Sequence, residues 1–470
     1  MYASISLPLG ERIMKSVADI FYQMEEEQDL FTLQLADGTY YWDIIRRDVY
    51  SSLNTSLNPL QKGLSAYSQP KNNRSVIETI IRDLVKTGIN EISLRYLNSH
   101  KPNYIFTTFQ RPVKGGRNVD YISDHLYDLV SEKSICIEHI NQSSICYRDI
   151  FLGRKTRLPP VYIRVGNKDT EVADIDKVIT NAASKYFDVS INIYDVIHNS
   201  IRVFKEKRNY YRRLFSKFLP KVIICDNDAT YKGLYFAARE AQIPTIELQH
   251  GISPGSMMWT YSQKYRKPHP GIILPDVYLT LADCWNSDNE YPTTRTYSIG
   301  NDNLYQIPVA GENNILIISN LATHKELVAF AFELADLIKK KKIYYKIHPE
   351  QHDYKAEIVD VFSQYSNIEV ISDEMNYAEL FKNCNHVVGV RSTLIYIALQ
   401  AGKNVYIYKR HNYNWDKNIL KYVALFKDAM EFKKLIEDAA CKVPNIPPVF
   451  FQKFDPKKFM QILNNTSSFK

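Results

Sequence analysis

The chain alternates short apolar runs with stretches of helical periodicity, and this alternation predicts parallel α/β units. Residues 341–347, 385–390 and 404–408 are short, rich in β-branched and aromatic side chains, and typical of buried strands. Residues 325–339 and 394–399 have the apolar content expected of packed helices. Because such strands alternate with helices, the sequence predicts a doubly wound parallel sheet in the C-terminal part of the chain.

A second set of units occupies the N-terminal half. Residues 221–225, 229–242 and 244–248 form a strand–helix–strand pattern with short joints, which requires parallel strands and a right-handed crossover. Further strands are expected at 103–109, 134–138, 276–281 and 297–301. We therefore predict an N-terminal domain over 1–305, a C-terminal domain over 306–415, and a helical tail over 416–470 that packs across both.

Composition supports a large two-domain protein. With 470 residues and 45% hydrophobic content, the chain exceeds the size of one core. A net charge of +7 suits anionic ligands without requiring nucleic acid. The six cysteines are scattered with no CxxC pair, which favours reduced thiols and no zinc site.

The sequence predicts a cytoplasmic protein, because neither a signal peptide nor an apolar run of about 20 residues is apparent. Residues 201–220 form a basic amphipathic helix. That helix is a candidate for peripheral contact with the inner membrane. A solvated basic face on a packed helix explains the same pattern equally well.

Polar side chains follow the predicted C-terminal strands at their carboxyl ends, where open α/β sheets bind ligands. Imidazole, hydroxyl and guanidinium groups beside a helix N-terminus suit a phosphate. We predict a nucleotide- and phosphate-binding set of Ser319, Asn320, Thr323, His348, Pro349, Gly389, Arg391, Ser392 and Thr393. Ordinary strand-end and helix-capping roles are the alternative explanation for His348 and Ser392.

Acid–base groups gather at the corresponding edge of the N-terminal sheet. The candidates for a catalytic base are Asp226, Asp228, Glu247 and His250. An imidazole is suited to proton transfer near neutral pH, although Asp226 could equally cap the following helix. Gln249 and Arg117 are the candidates for acceptor binding, with a plain exposed loop as the alternative around Arg117.

Several enzyme classes are disfavoured by the motifs. The chain has no GxGxxG or GxxxxGK[ST] loop and no HExxH helix, which argues against dinucleotide oxidoreductases, P-loop kinases and zinc proteases. Residues 251–255 spell GxSxG, but Pro254 and Gly255 oppose the helix that a nucleophile elbow requires.

The order of these motifs resembles GT-B glycosyltransferases over residues 220–410. His348-Pro349 is similar to the His-Pro motif of bacterial sialyltransferases, capsular Kdo transferases and teichoic acid polymerases. Residues 389–393 resemble their Ser-Thr or Ser-Ser motif, and residues 226–251 and 299–301 resemble the end of the acceptor domain. The resemblance implies two Rossmann-like domains that face a cleft.

The same resemblance implies an activity. The protein would be a metal-independent glycosyltransferase of capsule or lipopolysaccharide synthesis, without a cofactor. Its partners would be a CMP-activated sugar of the sialic acid or Kdo type and a glycan or lipid-linked glycan acceptor. His348, Ser392 and Thr393 would hold the donor phosphate. The stretch 394–397 has no carboxylate to bind a ribose, which disfavours UDP donors.

The sequence is compatible with two kinds of catalytic base and with three alternative functions. The related polymerases use a His-Gly histidine as base, whereas sialyltransferases use a carboxylate. A CDP-glycerol or CDP-ribitol transferase is the nearest alternative activity. A nucleotide-sugar 2-epimerase is another enzyme with the same fold, and a non-catalytic scaffold with a GT-B fold is the alternative outside enzymes.

Overall fold

The computed structural model describes residues 16–57, 101–109, 111–113, 117–139, 157–158, 171–188, 193–217, 219–226, 228–251, 260–287, 291–292, 295–320, 323–348, 351, 354–372, 377–409, 419–438, 447 and 449–468. A pair of helices comes first, α1 at Val17–Glu27 and α2 at Trp42–Leu57. Ser16 and Asp19 form a reciprocal capping box that fixes the start of α1.

The N-terminal domain contains a seven-stranded parallel sheet within the described residues. Its strands are β1 Tyr104–Phe109, β4 Ser134–His139, β5 Arg157–Leu158, β6 Val222–Cys225, β7 Thr245–Leu248, β8 Val277–Thr280 and β9 Thr296–Ser298, with a separate hairpin of β2 Arg111–Val113 and β3 Arg117–Val119. Its further helices are α3 Asp124–Val130, α4 Glu171–Phe187, α5 Tyr194–Lys217, α6 Asp228–Glu240 and α7 Cys284–Ser287.

The C-terminal domain contains a six-stranded parallel sheet in the part of the chain that is described. Its strands are β10 Ile315–Ile318, β11 Ile343–Lys346, β12 Ile368–Ile371, β13 His386–Gly389, β14 Asn404–Tyr408 and β15 Ala424–Phe426. Its helices are α8 His324–Leu337, α9 Lys355–Phe362, α10 Tyr377–Lys382, α11 Thr393–Gln400 and α12 Ala429–Glu437, followed by α13 Pro456–Thr466.

Both sheets follow the Rossmann strand order. The order is β5-β4-β1-β6-β7-β8-β9 in the first sheet and β12-β11-β10-β13-β14-β15 in the second. In each sheet the chain therefore forms a central strand first, adds strands outward on one side, and then adds the remaining strands on the other side. This arrangement confirms the predicted GT-B fold class of two Rossmann-like domains. The switch points lie between β1 and β6 and between β10 and β13, and ligands bind outside the carboxyl ends of strands at such points.

The central strands are buried on both faces, as parallel sheets require. Every residue of β6, β7, β8, β10, β11 and β13 is buried. Strands β6 and β10 are accordingly continuous apolar runs, whereas β7 also buries Thr245 and Glu247 and β11 also buries Lys346. Cys136, Cys225, Cys284 and Cys384 are free thiols.

The C-terminal sheet continues beyond residue 415. Strand β15 pairs with β14, and the Phe432 ring of α12 lies 5.7 Å from the Phe330 ring of α8. Residues 424–437 thus complete the C-terminal core, because their aromatic side chains fill the space between sheet and helices. The chain then returns to the N-terminal domain, where the Phe454 ring lies 4.5 Å from that of His125.

Helix α5 covers most of the basic amphipathic stretch. Its apolar side chains Phe204, Tyr211, Leu214 and Phe215 are buried in a cluster with residues of β6 and α6. The apolar face therefore serves the domain core. Of the basic side chains, Arg212, Arg213 and Lys217 are exposed, whereas Arg208 pairs with Asp37 and Glu240. None of the helices within the described ranges combines the length and apolar character that crossing a membrane requires.

Candidate functional site

Asp226 and His250 lie side by side at the carboxyl edge of the N-terminal sheet. They follow the adjacent strands β6 and β7, which pair in parallel with Cys225 opposite Glu247. Asp226 is fully buried, whereas the His250 side chain is 25% exposed. Asp226 Oδ2 lies 4.0 Å from His250 Nδ1. A buried carboxylate therefore lies behind an imidazole that is partly open to the surface.

Gln249 holds the turn that carries His250. Its side-chain oxygen accepts a hydrogen bond from the Leu281 backbone N–H at 2.9 Å, and its amide nitrogen donates to the Gly251 carbonyl at 3.0 Å. The side chain is almost fully buried. These bonds give Gln249 a positioning role, and the acceptor contact predicted for it stays a prediction.

Glu247 has a different environment from its neighbours. It is fully buried within β7, and its carboxylate accepts a hydrogen bond from the Tyr235 hydroxyl of α6. Its carboxylate is therefore directed to the helix layer. Asp228 begins α6 and Arg117 begins β3, as their backbones show. The side chains of Asp228 and Arg117, and the whole of Pro349, lie outside what the structure describes.

Ser392 and Thr393 form the start of α11 at the C-terminal switch point. Ser392 has an extended backbone, with φ −165° and ψ 146°, and its hydroxyl accepts a hydrogen bond from the Leu394 N–H at 3.2 Å. Ser392 is therefore the N-cap, and both residues are half-buried. The remaining amides of the first turn and the helix dipole favour an anion at this position.

Gly389 allows α11 to pack closely against its own strand. A Cβ atom at this position would lie 3.1 Å from Ile395 Cδ1 and 3.6 Å from Ile318 Cβ. A larger residue would push the helix away from β13. The structure thus gives Gly389 a packing role beside the site, and its predicted phosphate contact stays a prediction.

The loop after β10 carries Ser319, Asn320 and Thr323. The Asn320 side-chain oxygen accepts hydrogen bonds from the backbone N–H of Thr323 at 2.9 Å and from its hydroxyl at 3.0 Å. Ser319 is nearly fully buried, and its hydroxyl accepts a bond from the Tyr345 hydroxyl at 3.0 Å. His324 Nδ1 lies 3.1 Å from the same Tyr345 oxygen.

Tyr345 and His324 were missed by sequence reasoning, because Tyr345 reads as an ordinary strand residue. Burial, reinforced by the Lys325 charge, lowers the pKa of His324 below its usual value. The imidazole is therefore neutral near neutral pH. The contacts among Ser319, Tyr345 and His324 fix the loop that contains the half-buried Asn320.

His348 lies on a turn that is stabilised by Gln351, a third residue that sequence reasoning missed. Its backbone N–H donates to the Gln351 side-chain oxygen at 2.8 Å, and its carbonyl accepts from the Gln351 N–H at 2.8 Å. Gln351 is almost fully buried, whereas His348 is half-buried. The turn at the end of β11 therefore fixes the backbone and leaves the imidazole at the edge of the sheet.

The two domains approach each other at these edges. A Cβ atom on Gly251 would lie 3.1 Å from Thr393 Oγ1, so the His250-Gly251 turn touches the start of α11. Arg391 is exposed beside that contact. Burial raises the pKa of Tyr50 in α2, and the Arg391 guanidinium opposes this rise. The site therefore brings together Asp226, His250 and the first residues of α11.

The comparisons with known proteins do not assign a function to this chain, so a functional assignment has to rest on its own residues. No family model matches the sequence, and no curated protein matches it. Among solved structures, the chain is similar to UDP-GlcNAc 2-epimerase from Neisseria meningitidis, with 13% identity, a TM-score of 0.46, and coverage of 77% of this chain and 100% of that chain. The same enzyme from Methanocaldococcus jannaschii gives 12% identity, a TM-score of 0.44, and coverage of 77% and 99%. Acinetobacter baumannii MurG gives 9% identity, a TM-score of 0.44, and coverage of 78% and 99%. Similarity at this level carries no functional conclusion, and the fold class rests on the strand order given above.

Proposed function

We propose that this protein is a glycosyltransferase that transfers a sialic acid or Kdo type sugar from a CMP-activated donor to a glycan acceptor. The observation that carries the proposal is the contact between Gly251 and Thr393. It sets the Asp226–His250 pair directly against the N-terminus of α11. In this proposal the enzyme works in the cytoplasm on capsule or lipopolysaccharide glycans, as the resemblance of its motifs implies.

The C-terminal edge would bind the donor phosphate. When the glycosidic bond breaks, the bonding electron pair leaves with the phosphate of CMP, and its negative charge has to be stabilised. The first-turn amides of α11, the hydroxyls of Ser392 and Thr393, the Arg391 guanidinium and the His348 imidazole are suited to this task. Because these groups would stabilise the negative charge of the leaving phosphate without a metal ion, we expect full turnover in the presence of EDTA.

The N-terminal edge would supply the base. The acceptor hydroxyl loses its proton to His250 while its oxygen forms the new bond to the sugar carbon. The buried Asp226 carboxylate, 4.0 Å from His250 Nδ1, would stabilise the resulting imidazolium. With Nδ1 facing Asp226, Nε2 is the atom left to face the acceptor.

A CDP-glycerol or CDP-ribitol transferase is the second candidate. The His250-Gly251 turn favours it, because the resembling polymerases carry their base in a His-Gly setting. Such an enzyme would use the same phosphate site and the same imidazole. The nucleotide that binds separates the two candidates.

The test is nucleotide binding by thermal shift and calorimetry with CMP, CDP, UDP and GDP. We expect CMP to bind, and His348→Ala to weaken its binding by about tenfold or more, because a charge-assisted contact to phosphate is lost. His198→Ala, which removes an imidazole stacked on Tyr194 in α5, is the matched control and should leave binding unchanged.

Other outcomes redirect the proposal. Selective binding of CDP favours the polyol-phosphate transferase. Binding of UDP alone makes the protein a UDP-sugar enzyme. Equal CMP affinity in wild type and His348→Ala removes His348 from the phosphate site.

A further inference from the structure

Helix α11 contacts the N-terminal domain along its whole length. At its start, Thr393 lies against Gly251. In its middle, the Tyr396 ring lies 5.7 Å from the Trp285 ring of α7. At its end, Gln400 contacts both segments that connect the domains. The helix that begins at the proposed phosphate site therefore also contacts the N-terminal domain and both connecting segments.

The chain crosses between the domains twice, through the linker near 301–312 and through the returning segment 449–455. Gln400 binds both crossings. Its amide nitrogen donates to the Gln306 carbonyl at 3.0 Å and to the Phe451 carbonyl at 2.8 Å. Its side-chain oxygen accepts from the Phe451 N–H at 2.8 Å. One side chain thus satisfies backbone groups of two segments that lie far apart in sequence.

The returning segment is in turn fixed to the N-terminal domain. The Gln452 N–H donates to the Leu281 carbonyl, and the Gln452 carbonyl accepts from the Asn301 N–H, each at 2.9 Å. Trp285 Nε1 donates to the Phe450 carbonyl at 2.7 Å. Gly300 has φ +75°, and a Cβ atom there would lie 2.3 Å from the Lys453 carbonyl oxygen. The segment therefore approaches so closely that only glycine fits.

We propose that Gln400 is a positioning residue that sets the orientation of the two domains and thereby the gap between His250 and the start of α11. The use of that gap in catalysis rests on the proposed function, whereas the orientation is a property of the ligand-free protein. Because α11 has eight residues, its two ends are about 12 Å apart. A rotation of about 10° at Gln400 would then move the phosphate site by about 2 Å.

A displacement of that size is large for catalysis. Misplacing reacting groups by about 1 Å can lower a rate about a hundredfold. Loss of the Gln400 bonds should therefore reduce turnover far more than it reduces nucleotide affinity, because every proposed phosphate contact lies within the C-terminal domain. This split distinguishes a positioning role from a direct binding role.

The experiment uses the full chain with Gln400→Ala and Gln400→Glu. The first removes all three hydrogen bonds, and the second keeps the side-chain size while placing a carboxylate against two carbonyl oxygens. Gln452→Ala is the matched control, since the Gln452 side chain bonds to Asp283 at 3.0 Å within the N-terminal side of the interface. Thermal unfolding first verifies that each variant is folded.

Small-angle X-ray scattering of the ligand-free proteins decides the orientation. We expect both Gln400 variants to show a distribution of radius of gyration about twofold wider than wild type, and Gln452→Ala to match wild type. Wild-type scattering from folded Gln400 variants overturns the inference, as does an equal effect of Gln452→Ala.

A second measurement concerns the link to the site. With CMP or another nucleotide that binds wild type, the Gln400 variants should keep their affinity within about threefold while turnover falls about tenfold or more. Unchanged turnover overturns the positioning role. If wild type binds none of the nucleotides, the proposed function fails, and the ligand-free scattering still decides the role of Gln400.

Discussion

The two domains share one strand order, yet their ligand edges carry different chemistry. At the N-terminal edge the buried carboxylate Asp226 lies behind a partly exposed imidazole. At the C-terminal edge the half-buried groups are hydroxyl, amide and imidazole, presented from a helix start and two strand-end turns. The comparison teaches that the fold fixes where a site forms, whereas residue type decides what it does. Proton transfer suits the first edge and anion binding suits the second.

The interiors of the two domains also differ in the charge of their buried polar pairs. The N-terminal domain buries ion pairs, with Arg46 against Glu25 and Lys232 2.8 Å from Asp43. The C-terminal domain buries neutral pairs, with His386 Nδ1 3.1 Å from the Tyr406 hydroxyl. The ion pairs tie α2 to residues 260–273, because Arg46 donates to the Thr260 carbonyl at 3.0 Å. The two domains should therefore respond differently to substitution and to acid.

The largest expected effect comes from removing the buried carboxylate of the N-terminal edge. Asp226→Asn should lower sugar transfer by about a hundredfold to ten-thousandfold, the usual range for losing acid–base assistance. CMP affinity should stay unchanged, because the residues proposed to bind the phosphate belong to the C-terminal domain. Transfer from a labelled CMP-sugar to a glycan pool and calorimetry measure the two quantities. Asp336→Asn, at an exposed position in α8, is the control. If Asp226→Asn also lowered CMP affinity, proton transfer and phosphate binding would not be separated between the two edges.

Breaking the buried ion pair should have the next largest effect. Arg46→Met leaves the Glu25 carboxylate buried without its guanidinium, which should reduce the free energy of unfolding by about 3–5 kcal/mol. The double variant with Glu25→Leu should recover most of the loss. Urea denaturation measures both. Lys342→Ala, which breaks an exposed ion pair with Glu369, should change stability by less than about 1 kcal/mol.

The C-terminal domain should instead be sensitive to acid. Burial lowers the pKa of His386 to about 4, whereas an unfolded histidine titrates near 6.5. Between these values the unfolded chain binds more protons, so stability falls as pH falls through this window, by up to about 3 kcal/mol. His386→Gln should show a flatter dependence of unfolding free energy on pH. An equally steep dependence in the variant would assign the acid response to other groups.

The smallest effect is expected at the helix cap of the site. Ser392→Ala should weaken CMP binding by about tenfold and lower stability by about 1 kcal/mol. Asp428→Ala is the matched control, because Asp428 caps α12 through a 2.8 Å bond from the Glu431 N–H. It should show the stability loss alone. Equal CMP affinity in Ser392→Ala and Asp428→Ala would reduce Ser392 to a cap.

Much of the fold follows directly from local signals in the sequence. The sequence predicts strands at 341–347, 385–390 and 404–408, and β11, β13 and β14 occupy them. Parallel pairing then brings polar groups that follow neighbouring strands to the same edge of the sheet, because all carboxyl ends lie there. This explains why Asp226 and His250 were correctly placed together. Strand β15 lies within the stretch predicted as a helical tail, and its three residues are too short to give a strand signal.

The sequence by itself determined the elements, their parallel pairing and the edges at which polar groups collect, because periodicity and chain-crossing rules act over short distances along the chain. Only the tertiary structure decided that Gly251 meets Thr393 and that Gln400 joins both crossings. The physical reason is that these contacts depend on how two finished domains are oriented and packed. No local pattern of apolar and polar residues encodes that orientation.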